Sequence, residues 1–284
     1  MAPIDTRDAP IGDLGADDLG AALALSAEAG WNQDAADWTL MLRLGSGFAV
    51  RDGGRVVATA LALPYPPAFG WVSMVLVHAP YRRQGLATRL VERATAALTD
   101  AGLLPVLDAT PAGAEVYGRV GFQPVEKLTR WRGTGGGGAA VQLGPGPDCG
   151  ASGVSIAERV RALDATAFGA DRSAVLADLE GRPAPVALLA DDGYLLSRAG
   201  RTATQLGPLV ASDAAVAVAL LQRGLDSTPG TVVIDVPERA TAVAEHLAGR
   251  GFAPERPFVR MALGRAQIGG TPALVHAFAG PELG

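Results

Sequence analysis

The residues with the clearest chemical potential are 82–87, which read Arg-Arg-Gln-Gly-Leu-Ala. They follow an apolar run at 74–77 and open an amphipathic helical pattern. A turn between a strand and a helix attracts anions, because the free N–H groups of the first helical turn and the helix dipole point into it. Gly85 allows close backbone approach to such an anion, and Arg82 and Arg83 add positive charge. The pattern predicts a phosphate cradle, although no Walker sequence is present.

Other reactive side chains lie before, within and after the next apolar run, residues 104–109. A short helical pattern after this run contains Tyr117, whose phenol can donate a proton or simply pack as an aromatic ring. Asp108 is a candidate general base, but an Asp before Thr-Pro also commonly caps a turn. His78 is a second candidate base, with a place on the surface as its alternative.

These two groups together resemble the GNAT N-acetyltransferases. The cradle, Val77-x-x-x-x-Arg82-x-x-Gly85-x-Ala87, looks like the family's pyrophosphate motif, and Tyr117-x-x-x-Gly121-Phe122 looks like its second hallmark, about thirty residues later. The resemblance covers residues 48–131 well and the first forty residues loosely. It implies a direct transfer of an acetyl group from acetyl-CoA to an amine.

The resemblance also implies where acetyl-CoA binds. Two parallel strands, 73–77 and 104–108, would splay apart and take the pantetheine arm between them, paired to the backbone of the first strand. Thr110 stands where the family often has Asn, and its hydroxyl could bond pantetheine. Tyr117 would protonate the departing thiolate. The expected cofactor residues are Val75, Leu76, Val77, Arg82, Arg83, Gln84, Gly85, Leu86, Ala87, Thr88 and Thr110.

The amine pocket is predicted from the N-terminal helices, which grip the acceptor in this family. Trp31, Asn32, Asp37 and Trp38 lie within eight residues and could clasp a small cationic amine by stacking and charge. The alternative is a helix–helix corner with Trp38 in the core. Residues 71–75 hold no carboxylate to act as base, which slightly favours a weakly basic amine or a water chain.

Composition narrows the class of protein. Of the 284 residues 49% are hydrophobic, which is enough for a substantial core, and the net charge of −5 argues against nucleic acid as a partner. No apolar run is long enough to span a membrane, and the first residues do not resemble a signal peptide. One cysteine and three scattered histidines give no metal-ligand spacing, so no metal is expected. We expect a cytoplasmic protein.

The chain divides into two similar halves. We predict domains at 1–132 and 154–284, joined by a Gly- and Pro-rich linker at 133–153 in which Gly135 to Gly138 cannot hold a packed element. Residues 139–143 could form a short edge strand. The strand pattern at 231–237 and the later Gly-Phe repeat those of the first half. The predicted fold is α/β, with two tandem GNAT-like domains, each a mixed, mostly antiparallel twisted sheet flanked by helices.

The second half lacks the chemical groups of the first. Leu247 stands in the place of Tyr117, and Ser212-Asp213 replaces the Arg- and Gly-containing cradle with a carboxylate that would repel a pyrophosphate. We therefore expect the chemistry in the first half, while the second completes the acceptor pocket or forms a homodimer surface. A non-catalytic acyl-CoA sensor or scaffold is the alternative reading.

Overall fold

The protein is described by a computed structural model that covers residues 9–137, 156–183, 186–190 and 192–284. The first half forms β1 (Ile11–Leu14), α1 (Leu19–Glu28), α2 (Ala35–Leu44), β2 (Ser46–Asp52), β3 (Arg55–Tyr65), β4 (Phe69–Val77), α3 (Leu86–Asp100), β5 (Leu104–Ala109), α4 (Pro111–Arg119) and β6 (Phe122–Gly136). The second forms α5 (Ile156–Phe168), α6 (Ser173–Glu180), β7 (Ala187–Ala190), β8 (Gly193–Arg198), β9 (Thr204–Ala211), α7 (Ala214–Ser227), β10 (Pro229–Pro237), α8 (Thr241–Gly249), β11 (Ala253–Leu263) and β12 (Val275–Ala277).

The two halves repeat one order of elements. In each, two helices precede three strands, and then a helix, a strand, a helix and a last long strand follow. The internal repeat predicted from the apolar patterns is therefore confirmed. The second half has one further short strand, β12, which pairs with β9 of its own half.

All strands of the described chain join in one sheet, in which the halves exchange strands. The order is β1-β2-β3-β4-β5-β11-β6-β10-β9-β8-β7, with β12 beside β9. Strand β11 of the second half lies between β5 and β6, and β6 of the first half lies between β11 and β10. Each half thus fills a gap in the sheet of the other.

The predicted start of the linker is wrong, because β6 continues through Gly136. Gly135 and Gly136 pair with Gly230 and Pro229 of β10. A Cβ at Gly135 would lie 2.0 Å from the carbonyl oxygen of Thr228, so only glycine lets the two backbones pack this closely. The rest of the predicted linker, including the edge strand at 139–143, lies outside the described residues.

Helix α3 covers one face of the first half with an amphipathic stripe. Leu86, Leu90, Ala94 and Leu98 recur at four-residue spacing and are buried against β3 and β4. This packing fixes the beginning of α3 beside the end of β4, where the cradle was predicted.

The largest hydrophobic cluster is shared between the halves. It contains Trp38 and Trp71 of the first half together with Phe168, Leu176 and Leu283 of the second. The helices that precede each three-stranded unit contribute to it, so the two halves share this cluster, while two further clusters lie mainly within the first half and within the second.

A chain of buried ion pairs crosses the same interface. Arg198, at the end of β8, donates hydrogen bonds to the carboxylates of Asp37 in α2 and Glu282. Arg182 donates to the other oxygen of Asp37 at 2.6 Å. The side chains of Asp37, Arg198 and Glu282 are almost fully buried. Buried charges of this kind are tolerated only while they remain paired.

Removal of Asp37 should therefore destabilise the whole protein. In Asp37→Ala the guanidinium groups of Arg198 and Arg182 lose a shared partner, and we expect a loss of about 3–5 kcal/mol in the free energy of unfolding. Urea unfolding measures this. The control is Glu255→Ala, which breaks a partly exposed pair with Arg132 (2.6 Å) and should cost no more than about 1 kcal/mol. Equal losses in the two variants would contradict the prediction.

Candidate active site

A cavity of about 120 Å³ opens where β4 and β5 separate. The two strands pair in parallel only from Phe69–Trp71 to Leu104–Val106. Beyond this short ladder a bulge shifts the register of β4 against β3, and Met74 takes a positive φ of 50°. The walls are residues 72–75 of β4 on one side and residues 107–110 on the other. The structure thus contains the splayed strand pair that the sequence predicted.

The cradle residues form the turn that leads into α3. Gly85 is the N-cap residue with φ +79°, and Arg83 has φ +63°. No side chain caps the helix, and a Cβ at Gly85 would meet nothing within 4 Å. The N–H groups of the first turn, which belong to Leu86, Ala87 and Thr88, have no acceptor within the helix. The turn consequently offers backbone donors to an external anion.

Arg82 helps to hold this turn in place. Its Nε donates to the carbonyl oxygen of Val77 at 3.0 Å, and its Nη2 lies 3.8 Å from Glu28. More than half of the side chain remains exposed. Arg82 therefore ties the loop to the end of β4 while it keeps a positive charge at the surface.

Tyr117 reaches the cavity from α4. Thr110, also a cavity residue, caps this helix by accepting a hydrogen bond from the N–H of Gly113 at 3.2 Å. Gly113 leaves room for the phenol ring, since a Cβ there would lie 3.1 Å from Cε2 of Tyr117. The hydroxyl of Tyr117 forms no hydrogen bond with any described residue, and burial raises its pKa to about 12. The ring therefore presents an unshared O–H at neutral pH.

The two candidate bases are both committed to ion pairs or hydrogen bonds. Asp108 lines the cavity but receives two hydrogen bonds of 2.9 Å from Arg260, while burial raises its pKa and Arg260 opposes this. Proton uptake would break this buried pair, which argues against the predicted base role. Nδ1 of His78 lies 2.5 Å from Glu28, its Nε2 lies 3.2 Å from Arg55, and it does not line the cavity.

Only one of the four predicted acceptor residues, Trp31, lines the cavity. The other three are corrected by the structure. The amide of Asn32 bonds the backbone of Thr202 and Ala203 at 2.9–3.0 Å, and Asp37 pairs with arginines of the second half. Trp38 is fully buried and donates to Ser26 at 3.0 Å, as the helix-corner alternative supposed.

The remaining walls come from parts of the chain that no motif marked. From the first half these are Gln33 and Arg130, and from the second they are Arg256, Phe258, Pro281 and Glu282. Arg256 and Phe258 belong to β11, which reaches the cavity only through the strand exchange. Sequence spacing carries no signal for a contact of this range.

The segment 278–284 is fixed to both halves by side-chain donors. Tyr65 bonds the carbonyl oxygen of Leu283 at 3.0 Å, and Trp71 bonds that of Pro281 at 2.8 Å. Arg172, from the second half, bonds the carbonyl oxygen of Gly284 at 2.6 Å. These bonds place Pro281 and Glu282 as a rigid side of the cavity.

The corresponding place in the second half is closed to an anion. Asp213 caps α7 and accepts hydrogen bonds from the N–H groups of Ala215 (2.8 Å) and Val216 (2.9 Å). Its own carboxylate therefore occupies the donors that Gly85 leaves open in α3. Leu247 is fully buried in the core of this half.

Among the described residues, no group of His, Cys, Asp and Glu side chains is placed to hold a metal ion. None of the described helices combines the length and apolarity needed to cross a bilayer.

Because the pKa of Tyr117 is raised, the free energy of unfolding should fall as the pH becomes alkaline. The folded state holds the phenolic proton more tightly than the unfolded chain, whose pKa is near 10. This contribution is complete below about pH 10 and is lost as the pH rises to about 12. We expect the wild type to lose more free energy of unfolding than Tyr117→Phe between about pH 9 and pH 11, as measured by urea titration. Equal losses would show that burial does not perturb this phenol.

Comparison with known proteins now identifies the fold. Residues 21–122 match a family model described as the acetyltransferase (GNAT) family, and residues 160–272 match one described as an acetyltransferase (GNAT) domain. The chain is similar to the uncharacterized N-acetyltransferase YitH of Bacillus subtilis (strain 168), with 24% identity over 241 residues, which are 81% of this chain and 83% of YitH.

Two solved structures extend the likeness across both halves. A candidate acetyltransferase from Pyrococcus horikoshii superposes with a TM-score of 0.78 at 19% identity, covering 97% of this chain and 95% of its own. A tandem GNAT protein from the clavulanic acid biosynthesis pathway gives 0.59 at 17% identity, covering 89% and 97%. With both halves matched by GNAT models, the chain belongs to the GNAT acetyltransferase family and is an acyltransferase built of two GNAT domains in tandem.

Proposed function

We propose that this protein transfers an acetyl group from acetyl-CoA to the nitrogen of a small amine, and that the first half performs the chemistry. The observation that carries the proposal is the unshared hydroxyl of Tyr117, which lies in one cavity with the bulge of β4. The similarity to YitH, named an N-acetyltransferase, supports nitrogen as the acceptor atom.

The residues of the first half fit acetyl-CoA. The uncapped N-terminus of α3 and the open space at Gly85 suit the pyrophosphate. Beyond Trp71, residues Val75 to Val77 no longer pair with β5, so their edge can receive the amide-rich pantetheine. The hydroxyl of Thr110 accepts the capping bond and keeps its own proton to donate. When bound, acetyl-CoA supplies the thioester whose acetyl group is transferred.

In this proposal the neutral amine nitrogen attacks the thioester carbonyl, the C–S bond breaks, and Tyr117 protonates the departing CoA thiolate. The proton that the nitrogen loses goes to water, and water returns a proton to Tyr117. The pKa of Tyr117, about 12, keeps the proton on the phenol throughout the physiological range. Because its hydroxyl is not shared with another described residue, no internal bond must break before it donates. The buried surroundings that raise this pKa also disfavour an unprotonated thiolate, which makes a nearby donor more valuable.

The walls of the cavity bear on the acceptor. The cavity of about 120 Å³ is partly open, so it can receive a small amine or the amine end of a longer molecule. Residues 256, 258, 281 and 282 of the second half line this space. This supports the proposal that the second half completes the acceptor pocket. Its own equivalent of the cradle is blocked by Asp213.

Loss of the Tyr117 hydroxyl should abolish most turnover without loss of acetyl-CoA affinity. For Tyr117→Phe we expect kcat to fall by about 10²–10⁴, because the ring still packs but no longer donates a proton. Release of free CoA, followed with a thiol reagent over a panel of small primary amines, measures kcat; calorimetry measures affinity. The control is Tyr81→Phe, whose hydroxyl bonds Asp52 outside the cavity, and it should keep its turnover. A Tyr117→Phe variant with full turnover would exclude Tyr117 as the donor, and a wild type that binds acetyl-CoA but acetylates no amine would favour a sensor.

Acetyl-CoA should bind once per chain, at α3. Gly85→Glu places a side chain and a negative charge in the turn, and we expect affinity to fall at least about tenfold. Gly102→Glu is a matched control, since Gly102 also has a positive φ (+74°) and open space but lies beyond the other end of α3. Calorimetric titration compares the two. Two sites in the wild type, or unchanged affinity in Gly85→Glu, would mean that the second half binds acetyl-CoA.

A further inference from the structure

Two buried oxygen atoms of the cavity residues have no hydrogen-bond partner. They are Oε2 of Glu282 and Oε1 of Gln33, and both side chains line the cavity. Glu282 is 3% exposed and Gln33 is 4% exposed, so bulk water does not readily satisfy them. Buried acceptors without a partner are uncommon in folded proteins and call for an explanation.

Glu282 is held so that only one of its oxygens is engaged. Oε1 accepts from Nη2 of Arg198, which also donates to the carbonyl oxygen of Ala279 at 3.2 Å. The backbone on both sides is fixed by the bonds to Pro281 and Leu283. The second oxygen is therefore a preorganised acceptor that no described group of the protein uses.

The cavity also contains a cation without a partner. The side chain of Arg256, in β11, forms no ion pair or hydrogen bond with the described residues. The other arginine of the cavity, Arg130, is bound to Asp235 through bonds of 2.7 and 2.8 Å. Asp108 is likewise bound to Arg260. Once these pairs are set aside, the charged groups left open are one carboxylate oxygen and one guanidinium.

We propose that the acceptor is an amino acid or a similar small zwitterion, whose ammonium group binds Glu282 and Gln33 and whose carboxylate binds Arg256. This inference rests on the proposed function and specifies its substrate class. An ammonium group has the donors that both oxygens lack, and a guanidinium matches a carboxylate with two parallel bonds. A zwitterion satisfies both groups and leaves the net charge of the cavity unchanged.

The proposal distinguishes this acceptor from a simple amine. An alkylamine would satisfy Glu282 but leave Arg256 open, and a carboxylic acid would do the reverse while its charge faces Glu282. The number of carbons between the ammonium group and the carboxylate is an outcome of the test.

The test is calorimetric titration of the full chain at neutral pH, with no acetyl-CoA present. The probes are glycine, 3-aminopropanoate, 4-aminobutanoate and 5-aminopentanoate, each compared with its matched alkylamine and its matched carboxylate. We expect at least one amino acid to bind at least tenfold more tightly than both of its counterparts. Similar binding of all three ligand classes, or no binding of any amino acid at about 10 mM, overturns the proposal.

Two variants assign the charges. Glu282→Gln keeps an oxygen for Arg198 but removes the negative charge, and it should bring the amino acid to within about threefold of its carboxylate counterpart. Arg256→Gln should bring it to within about threefold of the alkylamine. The controls are Glu126→Gln, an arginine-paired glutamate that does not line this cavity, and Arg265→Gln, an exposed arginine; both should bind as the wild type does. Unchanged selectivity in Glu282→Gln and Arg256→Gln also overturns the proposal.

Gln33→Leu covers the case in which Glu282→Gln fails to fold. It disturbs no ion pair, and it should weaken amino acids and alkylamines at least threefold while carboxylates are unaffected. If it weakens neither, the assignment of the ammonium site is wrong.

The result is separable from the proposed function. A protein that selects amino acids but does not bind acetyl-CoA would contradict only the proposed acetyl transfer. A protein that acetylates plain amines but binds no amino acid would contradict only the proposal of a zwitterionic acceptor.

Discussion

The structure depends on one buried guanidinium, that of Arg198. It joins three segments that are far apart in sequence: α2 through Asp37, β8 through its own backbone, and the segment 278–284 through Glu282. Each carboxylate is nearly inaccessible to solvent, so the charges must be brought together for any of them to be buried at an acceptable cost. The ion pairs therefore couple the packing of the two halves to the geometry of one side of the cavity.

The strand exchange, like the ion pairs of Arg198, couples the two halves to each other and to the cavity. Because β11 lies beside β5, the first half closes its sheet only with a strand from the second, and Arg256 and Phe258 reach the cavity on that strand. In a tandem repeat whose halves fold separately, one half could be lost without unfolding the other. Here the half without the cradle cannot be dispensed with, since it supplies both sheet pairing and cavity walls.

The sequence predicts features that depend on contacts between nearby residues, and it does not predict features that depend on contacts between distant ones. The cradle, Tyr117 and the repeat are local patterns, and residues within one strand, turn or helix determine them. Asn32 and Asp37 do not line the cavity because their partners, Ala203 and Arg198, lie 171 and 161 positions away, and exposed and buried polar residues look alike in a sequence. Trp38 packs in the core and bonds Ser26, only 12 positions away, as the helix-corner alternative supposed. Glu282 was missed for the same reason, since only the fold brings it to the cavity.

The two halves show how small a change closes the donors at the beginning of a helix. Both have a strand, a turn and a helix in the same place, and both helices begin with the same unpaired donors. Gly85 leaves these donors open, whereas Asp213 satisfies them with its own side chain and so favours a capped helix over a bound phosphate. With that helix end closed and Leu247 packed in the core, selection on the second half can act through stability and the shape of the shared cavity. This accounts for a half whose fold is intact while its chemical groups are absent.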